Sequence, residues 1–254
     1  MSATAGPDTA STGPVLRTDA VGGFCAPHGG CFVVGTDTGV GKTLVACALI
    51  HAMRAAGLAP VPFKPVASGS EVGSGGLVHD DTRRLIAASG RPLTQDEVSP
   101  CRYEPAIAPH VAAAESARPI KLDRLLHQAE QMARHGPLLV EGAGGFMVPV
   151  DGQHTLADLA VLLGLPVVLV VGMRLGCLNH ALLTAEAIAA RGLTLAGWVA
   201  NAIDPAFARA EENRETLQLR LKAPLLADFR WSPDPDPGSL AIRIPPLLAD
   251  RASA

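Results

Sequence analysis

The 254-residue chain reads as an α/β protein: a doubly wound, mostly parallel sheet with helices on both faces. Two observations predict it. Apolar strand-like runs at 31–34, 138–140, 167–171 and 196–200 alternate with helical patterns, as strands buried on both faces do. A glycine-rich turn, Gly35-Thr36-Asp37-Thr38-Gly39-Val40-Gly41-Lys42-Thr43, also joins the first strand directly to the first helix. Right-handed crossovers then place the helices in two layers, in one domain spanning residues 30–254.

Residues 1–29 are rich in Ala, Thr, Gly, Pro and Ser without periodicity, and read as a disordered N-terminal tail. The first strand is expected near Cys31. The first helix begins near Thr43, carries Leu44, Val45, Ala48 and Leu49 on one face, and stops at Gly57. Residues 62–66 make a short second strand, and 69–76 a polar loop. Asp80, Asp81 and Thr82 are placed to cap a helix bearing Leu85 and Ile86. With prolines at 92, 100, 105, 109 and 119, the segment 92–119 reads as irregular. Leu122, Leu125, Leu126, Ala129 and Met132 mark an amphipathic helix over 121–135. Helices near 155–163, 179–191 and 206–221 separate the later strands, and 232–238 is a breaker-rich loop.

A formal net charge of −3 with 18% charged residues argues against a general affinity for nucleic acid or anionic membrane. No apolar run reaches bilayer length, and the start lacks the pattern of a secretory signal. Five cysteines without C-x-x-C spacing make a disulfide framework or structural zinc site unexpected. The expected compartment is the cytoplasm.

The glycine-rich turn is a phosphate loop. Backbone N–H groups at Gly39, Val40 and Gly41 can curl around a phosphate at a helix N-terminus. Lys42 then reaches the terminal phosphates and the Thr43 hydroxyl takes a Mg²⁺ position, so ATP or GTP is implied. The loop departs from G-x-x-x-x-G-K-[ST] in placing Thr36 where the first glycine belongs. Ligands in such folds gather at the carboxyl ends of strands. That rule selects Lys64, Glu141 and Asn201, and the turn at 173–179. Glu141 precedes four Gly or Ala residues, which leave a metal and phosphates room. Either Asp80 or Asp81 could face the metal, and spacing does not separate them. His110 has no partner at ligand or triad spacing, and Cys177 has no adjacent base.

Five stretches in order, 35–43, 63–69, 140–145, 170–184 and 197–201, resemble the dethiobiotin synthetase family of phosphate-loop ATPases. The resemblance implies that 7,8-diaminopelargonate, CO₂ and ATP give dethiobiotin, ADP and phosphate through a carbamate and a carbamic–phosphoric anhydride. It implies that Lys42 and Lys64 stabilise phosphoryl charge, and that Thr38 and Ser68 sit where carbamate and substrate are held. Thr43, Asp81 and Glu141 would surround Mg²⁺. Asn201 matches the adenine-reading position, with Pro224 and Leu225 in the purine-side loop. Gly176, Cys177 and Asn179 open a helix that reaches the substrate carboxylate from a neighbouring subunit, so a homodimer is implied. Arg174 replaces a frequent Lys, Ala108 a common Ser, and Asp228-Phe229-Arg230 is unusual. A partition-type nucleotide-switch ATPase acting on a protein partner is the alternative. It would carry a signature lysine where Asp37 stands.

Overall fold

The computed structural model describes residues 26–245. Almost all of the expected tail, residues 1–25, therefore lies outside the described residues. Its last four residues join the fold: Gly29 N–H donates to the Ala26 carbonyl, and Ala26 packs against the core.

In chain order, β1 (Gly30–Gly35) leads through the phosphate loop to α1 (Lys42–Ala55), then to β2 (Val61–Phe63). The short strand expected at 62–66 divides in two, because Pro65 interrupts it. β3 (Val66–Ser68) turns away to pair in parallel with β6 (Cys101–Tyr103) in a small separate sheet. The loop expected at 69–76 contains an antiparallel hairpin, β4 (Glu71–Gly73) and β5 (Gly76–Val78). α2 (Asp80–Ser89) follows, with His79 in the N-cap position and no side-chain cap. Asp80 and Asp81 are thus the first helical residues rather than caps, and favour that end through the helix dipole.

The supposedly irregular stretch also holds structure. α3 (Gln95–Val98) is closed by a capping box between Thr94 and Glu97, and α4 (Pro109–Glu115) starts on its proline. Thr-x-x-Glu and an N1 proline are both readable start signals that the density of prolines obscures. The chain continues through α5 (Leu122–Ala133), β7 (Leu138–Gly145), α6 (Leu156–Leu163), β8 (Val167–Met173), α7 (Cys177–Ala190), β9 (Leu195–Ala202) and α8 (Ala210–Arg220). It closes on β10 (Leu225–Phe229), a strand in the stretch expected to be a loop.

The main sheet has the order β10-β9-β8-β1-β7-β2, with every neighbouring pair parallel. Side chains of its inner strands alternate between its faces. Phe32, Val34, Leu138, Val140 and Leu169 enter the core that α5, α6 and α7 cover. Cys31, Val33, Leu139, Val168 and Val170 enter the core shared with α1 and α2. One irregularity matters below. β1 and β7 run in step from Gly30↔Leu138 to Val33↔Glu141, but the next pair is Gly35↔Gly145. Two steps along β1 are matched by four along β7.

Candidate active site

The carboxyl ends of β1, β7 and β9 open into a cleft of about 1520 Å³, lined by the phosphate loop on one side and Lys64, Ser68 and Asp81 on the other. Its charged floor is built from four elements. Thr43, in the first turn of α1, donates its hydroxyl to Glu141 Oε1 at 2.8 Å. Lys64, just past β2, donates to the same oxygen at 2.6 Å and lies 2.9 Å from Asp81 Oδ2. Glu141 is fully buried, and its Oε2 has no hydrogen-bond partner among the described residues. Asp81, not Asp80, faces this cluster; Asp80 pairs outward with Arg83.

Burial alone would lower the Lys64 ammonium, but the Glu141 and Asp81 carboxylates outweigh it and hold its pKa above the ordinary value. Burial likewise pushes Asp81 up, and the Lys64 charge more than offsets this, leaving it below the usual carboxylate range. Lys42 goes the other way. Burial, and then repulsion from Lys64, bring its pKa down to about 8. Its Nζ donates to the Asp37 carbonyl at 2.9 Å, which curls the ammonium back over the loop.

Thr43, Asp81 and Glu141 fit a magnesium ion. They are hard oxygen donors beside a phosphate loop, and the unpartnered buried Oε2 of Glu141 is suited to a cation. Among the described residues no group of three or more His, Cys, Asp or Glu could hold a metal.

The remaining candidates divide. Thr38 and Ser68 line the cleft, and the Ser68 hydroxyl is buried without a hydrogen-bond partner among the described residues. Asn201, at the end of β9, is buried beneath the loop and lines the same cleft. Gly39 and Gly41 have φ of 73° and 90°, the left-handed region that favours glycine. Val40 turns its side chain into the core, leaving only its backbone for a phosphate. Pro224 and Leu225 are not brought to the cleft. Pro224 precedes β10 and Leu225 opens it, at the opposite end of the sheet from the loop, where the Pro224 carbonyl accepts from Trp198 N–H. The stretch that does line the cleft there is the exit of β10, including Phe229, Arg230 and Trp231. Strand β10 went unseen because its run, Leu225-Leu226-Ala227-Asp228-Phe229, is short and carries a charge.

Gly176, Cys177 and Asn179 also lie outside this cleft. They begin α7 beside it, with Asn179 exposed and Cys177 buried. Burial raises the Cys177 thiol, so it is no ready nucleophile. A connection does run from this turn to the loop: Arg174 donates to Asp37 Oδ2 at 2.5 Å. The Thr38 backbone amide, together with Arg174, holds the Asp37 carboxyl below its usual range. His79 is a cleft residue that sequence pattern passed over. Its Nε2 lies 3.1 Å from the Ser68 carbonyl, which requires the Nε2–H tautomer.

A family model described as an AAA domain matches residues 30–238. An ATP-dependent dethiobiotin synthetase BioD from Pseudomonas paraeruginosa is 51% identical over 216 residues, covering 84% of this chain and 94% of that one. The protein of the same description from Aromatoleum aromaticum is 50% identical over 217 residues, covering 84% and 96%. Among solved structures, the cell division protein FtsY of Thermotoga maritima aligns with 89% of this chain and 68% of its own, at 13% identity and a TM-score of 0.46. The signal recognition particle receptor FtsY of Elizabethkingia anophelis gives 15% identity and 0.45, covering 92% and 65%. Likenesses at that level carry no functional argument.

Proposed function

This chain belongs to the dethiobiotin synthetase family, and from that premise we propose how its own residues carry out the reaction. The activity is an ATP-dependent ligation forming dethiobiotin in biotin biosynthesis, on small-molecule substrates. The observation that carries the proposal is the buried contact of Lys64 with Glu141 and Asp81, with Thr43 on the same Glu141 oxygen, at the foot of a phosphate loop.

One amine of 7,8-diaminopelargonate takes up CO₂ as a carbamate. A carbamate oxygen attacks the γ-phosphorus of ATP, ADP departs, and a carbamic–phosphoric anhydride results. The second amine attacks the anhydride carbon; phosphate leaves and the cyclic urea closes. The protein must therefore neutralise charge on the transferring phosphoryl and hold two amines in line. Lys42 and Lys64 supply the first, from either side of the cleft. Thr38 and the unpartnered Ser68 hydroxyl are placed for the carbamate. Thr43, Asp81 and Glu141 would hold Mg²⁺, which when bound draws charge from the phosphates. Asn201 offers an amide to the adenine edge.

The turn at Gly176, Cys177 and Asn179 serves the substrate carboxylate of a second subunit in a homodimer. Leu175 at 90% exposed and Leu183 at 57% support an apolar contact there. Among the described residues no helix is long and apolar enough to cross a membrane, and a cytoplasmic location suits the substrates. Purified protein incubated with ATP, Mg²⁺, bicarbonate and diaminopelargonate should release phosphate and dethiobiotin in equal amounts. ATP hydrolysis that ignores the diamine and yields no cyclic urea would sink the proposal.

A further inference from the structure

Asn201 is tied to the phosphate loop as well as facing the cleft. Its Nδ2 donates to the Val40 carbonyl at 2.9 Å, in a buried contact between residues 161 positions apart. The acceptor is a carbonyl, so the nitrogen must be the atom pointing at the loop. One N–H and the carbonyl oxygen of the same amide are left over, and among the described residues the protein gives them no partner. The packing is close. A Cβ on Gly41 would stand 2.1 Å from Asn201 Nδ2, so that loop position admits the amide only because it is glycine.

Val40 itself is a plug. Its side chain is 1% exposed and fills a notch made by two glycines. A Cβ on Gly35 would meet Val40 Cγ2 at 2.7 Å, and one on Gly172 would meet Val40 Cγ1 at 2.8 Å. Gly172 and Asn201 are register partners on β8 and β9. The middle of the loop is thus held at two points: an apolar side chain keyed into the sheet, and a carbonyl held by an amide from the next strand but one.

We infer that Asn201 is a positioning residue for the phosphate loop: its bond to the Val40 carbonyl fixes the loop in its phosphate-binding shape, whether or not a base is present. The inference rests on the proposed nucleotide site and extends it, because a residue that only read the base would leave triphosphate binding untouched. Without the amide, the Val40 carbonyl loses its donor in a buried place, and the loop must shift to find another. Buried acceptors are seldom left unpaired, so the shift falls on the segment that should wrap a phosphate.

The experiment uses inorganic tripolyphosphate, which has the phosphates of ATP and no base. Its dissociation constant with Mg²⁺ is compared with that of ATP, by calorimetry, for the native protein, Asn201→Ala and Val40→Ala. Asn201→Ala should weaken tripolyphosphate about five- to tenfold, and ATP by more. Its discrimination of ATP from ITP should fall, with the thermal midpoint held within a few degrees. Val40→Ala should weaken ATP and tripolyphosphate by equal factors and leave the ATP-to-ITP ratio unchanged. Tripolyphosphate affinity unchanged in Asn201→Ala would overturn the inference and leave Asn201 a base reader alone. Native protein that binds ATP yet shows no competition by tripolyphosphate would overturn the phosphate-loop reading beneath it instead. A Val40→Ala protein that stays folded and binds tripolyphosphate normally would overturn the two-point hold and leave the Asn201 bond as the loop's single tie.

Discussion

Replacing Lys64 by Met should cost the fold more than any other single change near the cleft. Lys64 is 3% exposed and Glu141 fully buried, with 2.6 Å between ammonium and carboxylate. Met retains the bulk and removes the charge, leaving the buried Glu141 without its cation and with the Thr43 hydroxyl as its remaining direct partner. Breaking one side of a buried pair costs about 3–5 kcal/mol. For a chain of this size that lowers the thermal midpoint by roughly 6–20 °C. The pH dependence follows from the two shifts. Lys64 has a raised folded pKa, so its contribution is complete below the ordinary 10.5 and fades only as pH climbs through the higher folded value. Asp81 has a lowered one, so its contribution is complete above 3.8 and fades as pH falls through the folded value beneath that. The gap between native and variant should therefore be flat from about pH 5 to 9. Calorimetric scans of the native protein, Lys64→Met, Glu141→Gln and the double variant decide it. The double variant should lose at least about 1 kcal/mol less than the sum of the singles. Additive losses, or a Lys64→Met loss below about 1 kcal/mol, would refute the coupling.

Other expectations concern the nucleotide side. Lys42→Ala should reduce kcat by about 10²–10³-fold with the fold intact; near-native turnover would remove it from the chemistry. Because burial brings Lys42 down to about 8, its ammonium is charged below that pH and increasingly neutral above it. KM for ATP should accordingly rise as pH passes 8, and ATP binding near that pH should take up protons, measurable as a dependence of the binding heat on the buffer. A flat KM up to about pH 9.5 would contradict the assignment. Asp81→Asn should raise the Mg²⁺ concentration for half-maximal rate about tenfold or more. The same change at Asp80, whose partner is the exposed Arg83, should leave that concentration alone.

What could be read beforehand tracks how strongly each segment is constrained by burial. The apolar strands β1, β8 and β9 and the helices α1 and α5 announce themselves because both faces of the sheet are covered. The floor of the cleft was legible in part: Lys42 and Thr43 open α1, Lys64 follows β2 but gained weight only from the family resemblance, and Glu141 stands within β7 where its apolar run stops. Asp81 could be separated from Asp80 only in three dimensions, where one turns toward Lys64 and the other toward Arg83. The hairpin β4–β5 and the strand pair β3–β6 escaped because three-residue strands show no periodicity. They are joined through Arg102, whose Nε donates to the Leu77 carbonyl and whose Nη1 donates to that of Gln95. Pro224 and Leu225 were misplaced for a related reason. A parallel edge strand puts its first residues at the far end of the sheet, and only its exit reaches the ligand side.

The mismatch between β1 and β7 sets a rule for change in this chain. Between Val33↔Glu141 and Gly35↔Gly145, β7 carries two surplus residues. Because two is even, the pleat keeps its parity across the bow. Glu141 stays on the face of Leu139 and α1, where Thr43 meets it, and the chain beyond resumes without inversion. A surplus of one would turn over the stretch that follows Glu141, putting the small residues up to Gly145 on the wrong faces beside the phosphate loop, while the carboxylate, which precedes the bow, stayed with Thr43. Length variation at this strand end should therefore be tolerated in pairs and rejected singly.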